Sequence, residues 1–189
     1  MRRFVLILAI ATAIGAAAVG APVPSLAQTT IQTQPIDPFG QEVTLAEQPI
    51  VYAAGTGEWD TALETLTEAF KTVKQYLDKA GLKAAGPAMT IYTAMDDVSF
   101  NFQAAIPVAA APKAAPTGDI LTGTSPAGKA LKFVHRGSFD AMTQTYDTIS
   151  HHVDEKQIST QELLIEEYVT DLLTALPDKL VINIFVPLN

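Results

Sequence analysis

The chain contains no cysteine among its 189 residues. That absence excludes a disulfide framework, a thiolate metal site and a cysteine nucleophile. Basic residues are also scarce, because 12 Lys and Arg stand against 20 Asp and Glu and give a formal net charge of −8. An acidic surface repels phosphate backbones, so the composition predicts that the protein does not bind nucleic acid.

Several motifs that carry chemistry are missing as well. The sequence has no glycine-rich phosphate loop, no nucleophile elbow and no HExxH. Of its histidines, His151 and His152 are neighbours on a predicted helix, where their side chains diverge by about 100° and cannot share a metal. His135 ends a predicted strand, as a contact on a pocket rim or as a plain surface residue. We therefore expect no metal and no cofactor.

The first 27 residues have the pattern of a secretory signal peptide. Arg2 and Arg3 precede the uncharged apolar run 4–19, and Ser25-Leu26-Ala27 offers a cleavage site before Gln28. The alternative is a retained membrane anchor, although a bilayer span needs about 20 apolar residues. We expect a periplasmic or secreted protein that is not an integral membrane protein once cleaved, with 28–42 as a flexible leader.

Two stretches of the chain repeat each other at an offset of 80 residues. The matched positions are Gly57-Glu58-Trp59-Asp60 with Gly137-Ser138-Phe139-Asp140, Thr65 with Thr145, Val73 with Val153, and 106–108 with 186–188. Two copies are too few for a solenoid. The repeat instead predicts one domain, 43–189, whose two halves meet at a seam where a pocket can form.

Each half is predicted as β-α-β-β. In repeat 1 (43–108) a strand over 43–54, interrupted at Pro49, leads into a turn at Gly55-Thr56-Gly57. An amphipathic helix follows, with Asp60 as its N-cap and Gly81 just after its end. Two strands close the repeat, at 89–93 and 99–106, with a turn at Asp96-Asp97 between them.

A linker over 109–125, rich in alanine and proline, joins the copies. Repeat 2 (126–189) follows the same plan, with predicted strands at 130–135, 163–169 and 180–186 and a helix from about Phe139 to Val153. The fold class is α+β: a tandem β-α-β-β repeat whose six-stranded, mostly antiparallel sheet carries two long helices on one face, with a cleft between the halves.

The second half resembles GyrI-like small-molecule-binding domains, also known as the effector-binding domains of AraC- and MerR-type regulators. The resemblance rests on Pro126-Ala127-Gly128-Lys129, on Arg136-Gly137-Ser138-Phe139 before the helix, on the strand Ile165-Glu166-Glu167-Tyr168 and on the ending Ile184-Phe185-Val186-Pro187-Leu188. The first half, from about 43 to 108, resembles the family more loosely.

The resemblance implies a ligand cleft between the halves. Members of the family bind amphipathic or cationic aromatic molecules, often through an acidic residue in an aromatic pocket, and some are thought to hydrolyse strained cyclopropane-bearing compounds. No helix-turn-helix module is evident in this sequence, so we expect a stand-alone domain without a DNA-binding module. The strand counterpart of Glu166 in the first copy is Thr90, which puts the acidic group on one side only.

Five residues are the predicted ligand-binding set: Glu166, Tyr168, Tyr92, Trp59 and Phe139. Glu166 and Tyr168 lie two apart on a strand, so they point to one face, where a carboxylate and a ring face select cations. The alternative is an exposed Glu166, with Glu167 facing the core. Trp59 and Phe139 occupy equivalent repeat positions, as opposing cleft walls or as core residues that seat the helices. Tyr92 matches Tyr168 in the other copy.

We therefore predict an exported protein, a monomer or weak dimer, that holds a small hydrophobic or cationic aromatic ligand in the cleft between the repeats. Two alternatives remain. The first is a hydrolase of strained small molecules with Glu166 as general base. The second is an envelope protein-interaction module that uses the leader and the linker for contacts.

Overall fold

The computed structural model describes residues 37–112, 116 and 118–189. The predicted signal peptide and residues 28–36 of the predicted leader lie outside the described residues. The strands are β1 (Phe39–Leu45), β2 (Pro49–Glu58), β3 (Met89–Met95), β4 (Ser99–Pro107), β5 (Ile120–Thr124), β6 (Gly128–Gly137), β7 (Leu164–Tyr168) and β8 (Leu180–Pro187). The α-helices are α1 (Ala62–Ala80) and α2 (Met142–Glu155), and each follows a 3-10 turn, at Trp59–Thr61 and Phe139–Ala141.

Helix α1 follows its apolar stripe closely, because five of the predicted inward positions are buried: Ala62, Leu66, Phe70, Val73 and Leu77. Gly81 ends the helix with a left-handed φ of 65°, and the amide of Leu82 donates to the Leu77 carbonyl at 2.9 Å. The predicted C-terminal glycine is therefore confirmed. The predicted N-cap is wrong, because Asp60 lies within the 3-10 turn and Thr61 precedes the helix.

The described strands form one antiparallel sheet in the order β1-β6-β8-β7-β3-β4-β2-β5. The class, α+β with two helices and a large antiparallel sheet, is as predicted. The predicted number of six strands is wrong, because the sheet has eight. Six occupy the middle of the order, and β1 and β5 add one strand at each edge.

The two extra strands come from segments whose composition suggested a leader and a linker. Strand β1 begins at Phe39, inside the predicted leader 28–42, and β5 lies inside the predicted linker 109–125. The single strand predicted over 43–54 is instead the end of β1 and the start of β2. Short strands at a sheet edge carry weak alternation, since only one of their backbone edges is paired.

A two-stranded ribbon connects the two edges of the sheet. Leu45 lies opposite Gly128 at one edge, and Pro49 lies opposite Thr124 at the other. Segments 46–48 and 125–127 are equally long, so β1–β2 and β5–β6 keep one register throughout. Between the edges the Ser125 amide donates to the Gln48 carbonyl at 2.8 Å, and the Gln48 amide donates to Ser125 Oγ at 3.0 Å.

The ribbon accounts for a second, smaller core. Successive strand residues point to opposite sides of a sheet, so Met89, Ile165 and Phe185 point away from the helices; all three are buried. The ribbon residues Gln48 and Ser125 line a small pocket together with these side chains. The larger core, on the other side, contains side chains of both helices and of the central strands.

Two glycines of β2 overturn the predicted turn at Gly55-Thr56-Gly57. Gly55 lies opposite Phe102 and Gly57 opposite Phe100 in the β2–β4 ladder. A Cβ on Gly57 would lie 2.6 Å from the Phe100 ring, and one on Gly55 would lie 3.0 Å from the Phe102 ring. These glycines therefore leave room for two phenyl rings within a strand, and β2 continues to Glu58.

Within the described residues, no helix is both long enough and apolar enough to cross a membrane.

Candidate functional site

The site is built around a carboxyl group buried in the middle of the sheet. Glu166 of β7 is 1% exposed and lies opposite Thr90 of the neighbouring strand β3. Its side chain points to the side of the helices, together with Tyr168. Glu167 points to the other side, where its Oε1 accepts a hydrogen bond from Asn183 Nδ2 at 2.7 Å. The buried residue is thus Glu166 and not Glu167.

Three phenol groups donate hydrogen bonds to this carboxylate. Tyr168 and Tyr92 donate to Glu166 Oε2 at 2.6 and 3.1 Å. Tyr146 of α2 donates to Oε1. Thr90 Oγ1 lies 2.8 Å from the Tyr168 hydroxyl and extends the network. Residues from two strands and one helix therefore meet at one carboxyl group, although 74 positions separate Tyr92 from Glu166.

Burial governs the electrostatics of this network. Removal from water raises the pKa of Glu166 above its ordinary value, and the hydrogen bonds from the three tyrosines oppose that rise. Burial and the nearby Glu166 carboxylate raise the pKa of each of these tyrosines well above the ordinary value. The phenols consequently remain neutral donors near pH 7, and the network contains one acidic group and no basic group.

Trp59 and Phe139 line one cavity beside the carboxylate. The Trp59 ring lies 4.6 Å from Phe100 and 5.8 Å from Tyr92, and its Nε1 donates to the Asp96 carbonyl at 2.8 Å. Phe139 is half-buried and also packs against the larger core. Both aromatic residues therefore combine the two predicted alternatives, since each seats a helix start and forms part of the cavity wall.

The cavity has a volume of about 930 Å³, and the face of α2 forms one of its walls. Glu166, Tyr92 and Tyr146 line it together with the apolar side chains Met142, Ile149, Val153, Leu164 and Val186. Five aspartates also border it, namely Asp60, Asp96, Asp97, Asp140 and Asp147. Among the described residues that line this cavity, none is a lysine, an arginine or a histidine.

Tyr168 is the one residue of the predicted set that does not line this cavity. Its ring is 2% exposed and lies edge-on to Phe70 at 5.5 Å. The residue reaches the site through its hydroxyl, which donates to Glu166. Tyr168 therefore acts through the carboxylate rather than at the cavity wall.

His135 has a structural role in this arrangement. Its side chain is buried, its Nε2 donates to the Ser138 carbonyl at 3.0 Å, and its Nδ1 accepts from the Thr145 hydroxyl at 2.8 Å. Burial lowers the pKa of this imidazole. His152 packs edge-on against Phe39 and Phe133. The part of the chain that the structure describes contains no group of three or more His, Cys, Asp or Glu suited to a metal.

Sequence reasoning missed Tyr146 as a site residue and treated it as part of the inward helix face. The internal repeat carried a signal that could have found it. Tyr146 falls 80 positions after Leu66, which is completely buried in the first helix. A tyrosine in place of a core leucine, together with Glu166 in place of a neutral residue, marks the same break in the repeat.

The family model for the GyrI-like small molecule binding domain matches residues 41–189. The chain belongs to the GyrI-like family. The match includes the carboxylate, the three tyrosines, Trp59 and Phe139. The resemblance read from the second half of the sequence is therefore confirmed, and it extends across both halves.

Solved structures share the fold at low sequence identity. The EcmrR C-terminal domain superimposes with a TM-score of 0.67 at 15% identity, covering 79% of this chain and 96% of that one. SAV2435 bound to tetraphenylphosphonium gives 0.54 at 17% identity over 79% and 93%. A hydrolase from Listeria innocua gives 0.53 at 12% identity over 79% and 91%. At these identities the likeness concerns the fold alone.

The GyrI-like chain spans 56% of the length of EcmrR in its complex with DNA, at a TM-score of 0.68 and 16% identity. No curated protein matches the sequence.

Proposed function

We propose that the protein binds an organic cation with aromatic or other apolar groups in the cavity beside Glu166. The observation that carries the proposal is the buried carboxylate, which has three neutral hydroxyl donors and no basic side chain among the described residues that line the cavity. A buried charge is costly without a counter-ion. A cationic ligand supplies that counter-ion, so binding energy and charge compensation favour the same class of molecule.

The walls of the cavity support the aromatic part of the proposal. Trp59, Phe139 and Tyr146 present rings next to the carboxylate, and a cation near a ring face is stabilised by about 0.5–2 kcal/mol. The bordering aspartates add negative potential at the cavity, which raises the local concentration of cations. A neutral aromatic molecule would gain from the rings but not from these charges.

The relatives support the same ligand class. SAV2435 is named as bound to tetraphenylphosphonium, an aromatic cation without a hydrogen-bond donor. For this chain we propose ligand binding without chemical conversion. The second candidate is hydrolysis with Glu166 as general base, favoured by the raised pKa of its carboxyl group and by the Listeria innocua relative that is named a hydrolase.

A matched pair of glutamate variants tests cation binding. Tetraphenylphosphonium and the neutral triphenylphosphine oxide are titrated against the protein, with the fluorescence of its single tryptophan, Trp59, and calorimetry as readouts. We expect saturable binding of the cation only, weakened about tenfold or more by Glu166→Gln. Glu167→Gln is the control, since this neighbour points to the other side of the sheet and should leave the affinity unchanged.

Equal binding of the neutral compound, or full affinity in Glu166→Gln, would contradict the proposal. Incubation of each ligand with the wild-type protein, followed by mass spectrometry, separates binding from hydrolysis. Recovery of an intact strained cyclopropane compound after binding supports binding alone. Conversion that disappears in Glu166→Gln supports the hydrolase.

We also propose that the two halves are copies of one unit, and that the protein is exported and acts as a monomer or weak dimer. The repeated order β2-α1-β3-β4 and β6-α2-β7-β8 and the offset of 80 residues support the first statement. The pattern of residues 1–27 supports export. Fractionation with N-terminal sequencing of the product tests cleavage before Gln28, and light scattering of the secreted protein tests the oligomeric state.

A further inference from the structure

The two oxygens of the Glu166 carboxylate are held from two different elements. Oε2 accepts hydrogen bonds from Tyr92 and Tyr168, which both belong to the sheet. Oε1 accepts a hydrogen bond from Tyr146, which belongs to helix α2 and lines the cavity. A ligand that enters the cavity beneath α2 therefore meets the oxygen that Tyr146 already occupies.

The two sheet tyrosines are fixed in place. The Tyr92 ring lies 5.8 Å from Trp59 and 5.4 Å from Phe100 and is completely buried. The Tyr168 ring packs against Phe70, and its hydroxyl also contacts Thr90 at 2.8 Å. Neither ring can turn without opening the aromatic core, so neither phenol can give way to a ligand.

Tyr146 differs from both in its surroundings. It is half-buried, and the hydrogen bond of its hydroxyl within the described residues is the one to Glu166. Its helix is anchored less deeply, because α2 buries only Met142 and Ile149 whereas α1 buries five side chains. Turning Tyr146 away from the carboxylate therefore costs one hydrogen bond and little packing.

We propose that Tyr146 is a specificity-determining residue whose hydroxyl leaves Oε1 when the ligand binds, and that the site consequently selects protonated amines over permanent cations. This inference rests on the proposed binding of cations at Glu166. A protonated amine donates an N–H to Oε1 and replaces the bond that Tyr146 gave up. A quaternary ammonium or phosphonium group has no such hydrogen and leaves that oxygen with one donor fewer.

The test uses two ligands that differ by one methyl group. They are N,N-dimethyl-1-naphthylmethylamine, which is protonated at pH 7.5, and trimethyl-1-naphthylmethylammonium. Dissociation constants are measured by calorimetry for the wild type and for Tyr146→Phe. We expect the wild type to bind the amine about tenfold more tightly than the quaternary cation, the worth of one hydrogen bond to a charged group. In Tyr146→Phe both ligands should bind about tenfold more tightly, because no phenol must be displaced.

Tyr76→Phe is the matched control. Tyr76 lies half-buried on α1 and packs against the same core, so loss of its hydroxyl should leave both affinities unchanged. Equal wild-type affinity for the two ligands, or weaker or unchanged binding in Tyr146→Phe, overturns the inference. A gain in affinity is a readout that simple loss of stability does not produce.

Glu166→Gln separates the two levels of the argument. If this variant loses binding of both ligands while Tyr146→Phe fails to tighten it, cation binding at Glu166 stands and the role of Tyr146 is wrong. If Glu166→Gln binds both ligands as well as the wild type does, the proposed function fails as well. No binding of either ligand to the wild type and to Tyr146→Phe overturns both.

Discussion

At the scale of single residues, the molecule maintains a carboxyl group in a place where water would normally be required. Glu166 is surrounded by the core side chains of the sheet, and three phenols take the place of solvent as donors. Such donors partly offset the cost of burying a charge but supply no opposite charge. The empty site therefore stores a preference for cations in one residue.

The raised pKa of the Glu166 carboxyl group predicts a measurable effect on stability. A group whose pKa is higher in the folded than in the unfolded protein contributes stability that is full below the unfolded pKa. That stability is lost as the pH rises through the folded value. From about pH 4.5 upward we therefore expect the free energy of unfolding of the wild type to fall relative to that of Glu166→Gln. Urea denaturation of both proteins between pH 4 and 8 measures the difference.

Because the prediction concerns a difference between two proteins, the titration of Asp37, Asp96 and Asp178 cancels; hydrogen bonds lower the pKa of these three carboxyls. A constant difference at every pH would mean that the pKa of Glu166 is the same in the folded and unfolded states. Glu167→Gln serves again as the control on the neighbouring position.

At the scale of elements, the predicted helices and strands survive where a repeated pattern crosses a whole element. Helix α1 extends from Ala62 to Ala80 as its stripe indicates, and β4 follows the alternation read from Phe100 to Ile106. The pattern fails in β2, where two glycines resemble a turn. Glycine there serves the partner strand, because the phenyl rings of β4 occupy the space above it.

Gly57→Ala tests this reading of β2. The new methyl group would meet the Phe100 ring at 2.6 Å and push it toward Trp59. Overpacking of this kind costs about 1–3 kcal/mol of unfolding free energy, which urea denaturation can measure. The matched variant Gly123→Ala in β5 has its nearest contact at 3.4 Å from the Tyr52 ring, and we expect a change within about 0.5 kcal/mol. Equal effects of the two substitutions would show that the Phe100 ring does not require Gly57.

The helices also illustrate how one plan yields two different elements. Leu66 of α1 and Tyr146 of α2 are equivalent in the repeat, and only the tyrosine reaches the carboxylate. The first helix consequently closes the core, while the second borders the cavity. The difference in function between the halves arises at a few positions, within a common order of strands and helix.

At the scale of the whole molecule, the ribbon that links the two sheet edges is the feature with the largest consequence for stability. It joins strands that are far apart in the sheet, and it lies over the smaller core. Ser125 is central, since its amide and its Oγ both bond to Gln48. Its side chain is buried, so the Gln48 amide has no ready replacement by water.

Ser125→Ala should therefore lower the free energy of unfolding by about 1–3 kcal/mol, the cost of an unsatisfied buried donor. Thr122→Ala, at an exposed position of β5, is expected to change it by less than about 0.5 kcal/mol. Both are measured by urea denaturation, with hydrogen exchange of the Gln48 amide as a local readout. Unchanged exchange at Gln48 in Ser125→Ala would contradict the role assigned to this contact.

Much of the candidate site could be predicted from local pattern and family resemblance. Glu166 and Tyr168 share a strand face, and the tandem plan paired Thr90 with Glu166 before the strands β3 and β7 proved to be neighbours. Tyr146 could not be predicted in the same way, because a half-polar residue on an apolar helix stripe looks like core. The edge strands β1 and β5 escaped prediction since their partners lie far away in the chain.

The sequence by itself determined the short-range facts of this protein: helix α1 with Gly81 at its end, the strand face that carries Glu166 and Tyr168, and the membership in the GyrI-like family. These follow from spacing within a few residues, where backbone geometry dictates direction. Only the tertiary structure decided that three tyrosines from three elements meet on one carboxylate and that a ribbon joins the sheet edges. Those contacts depend on strand register and helix packing over long separations, which no local pattern specifies.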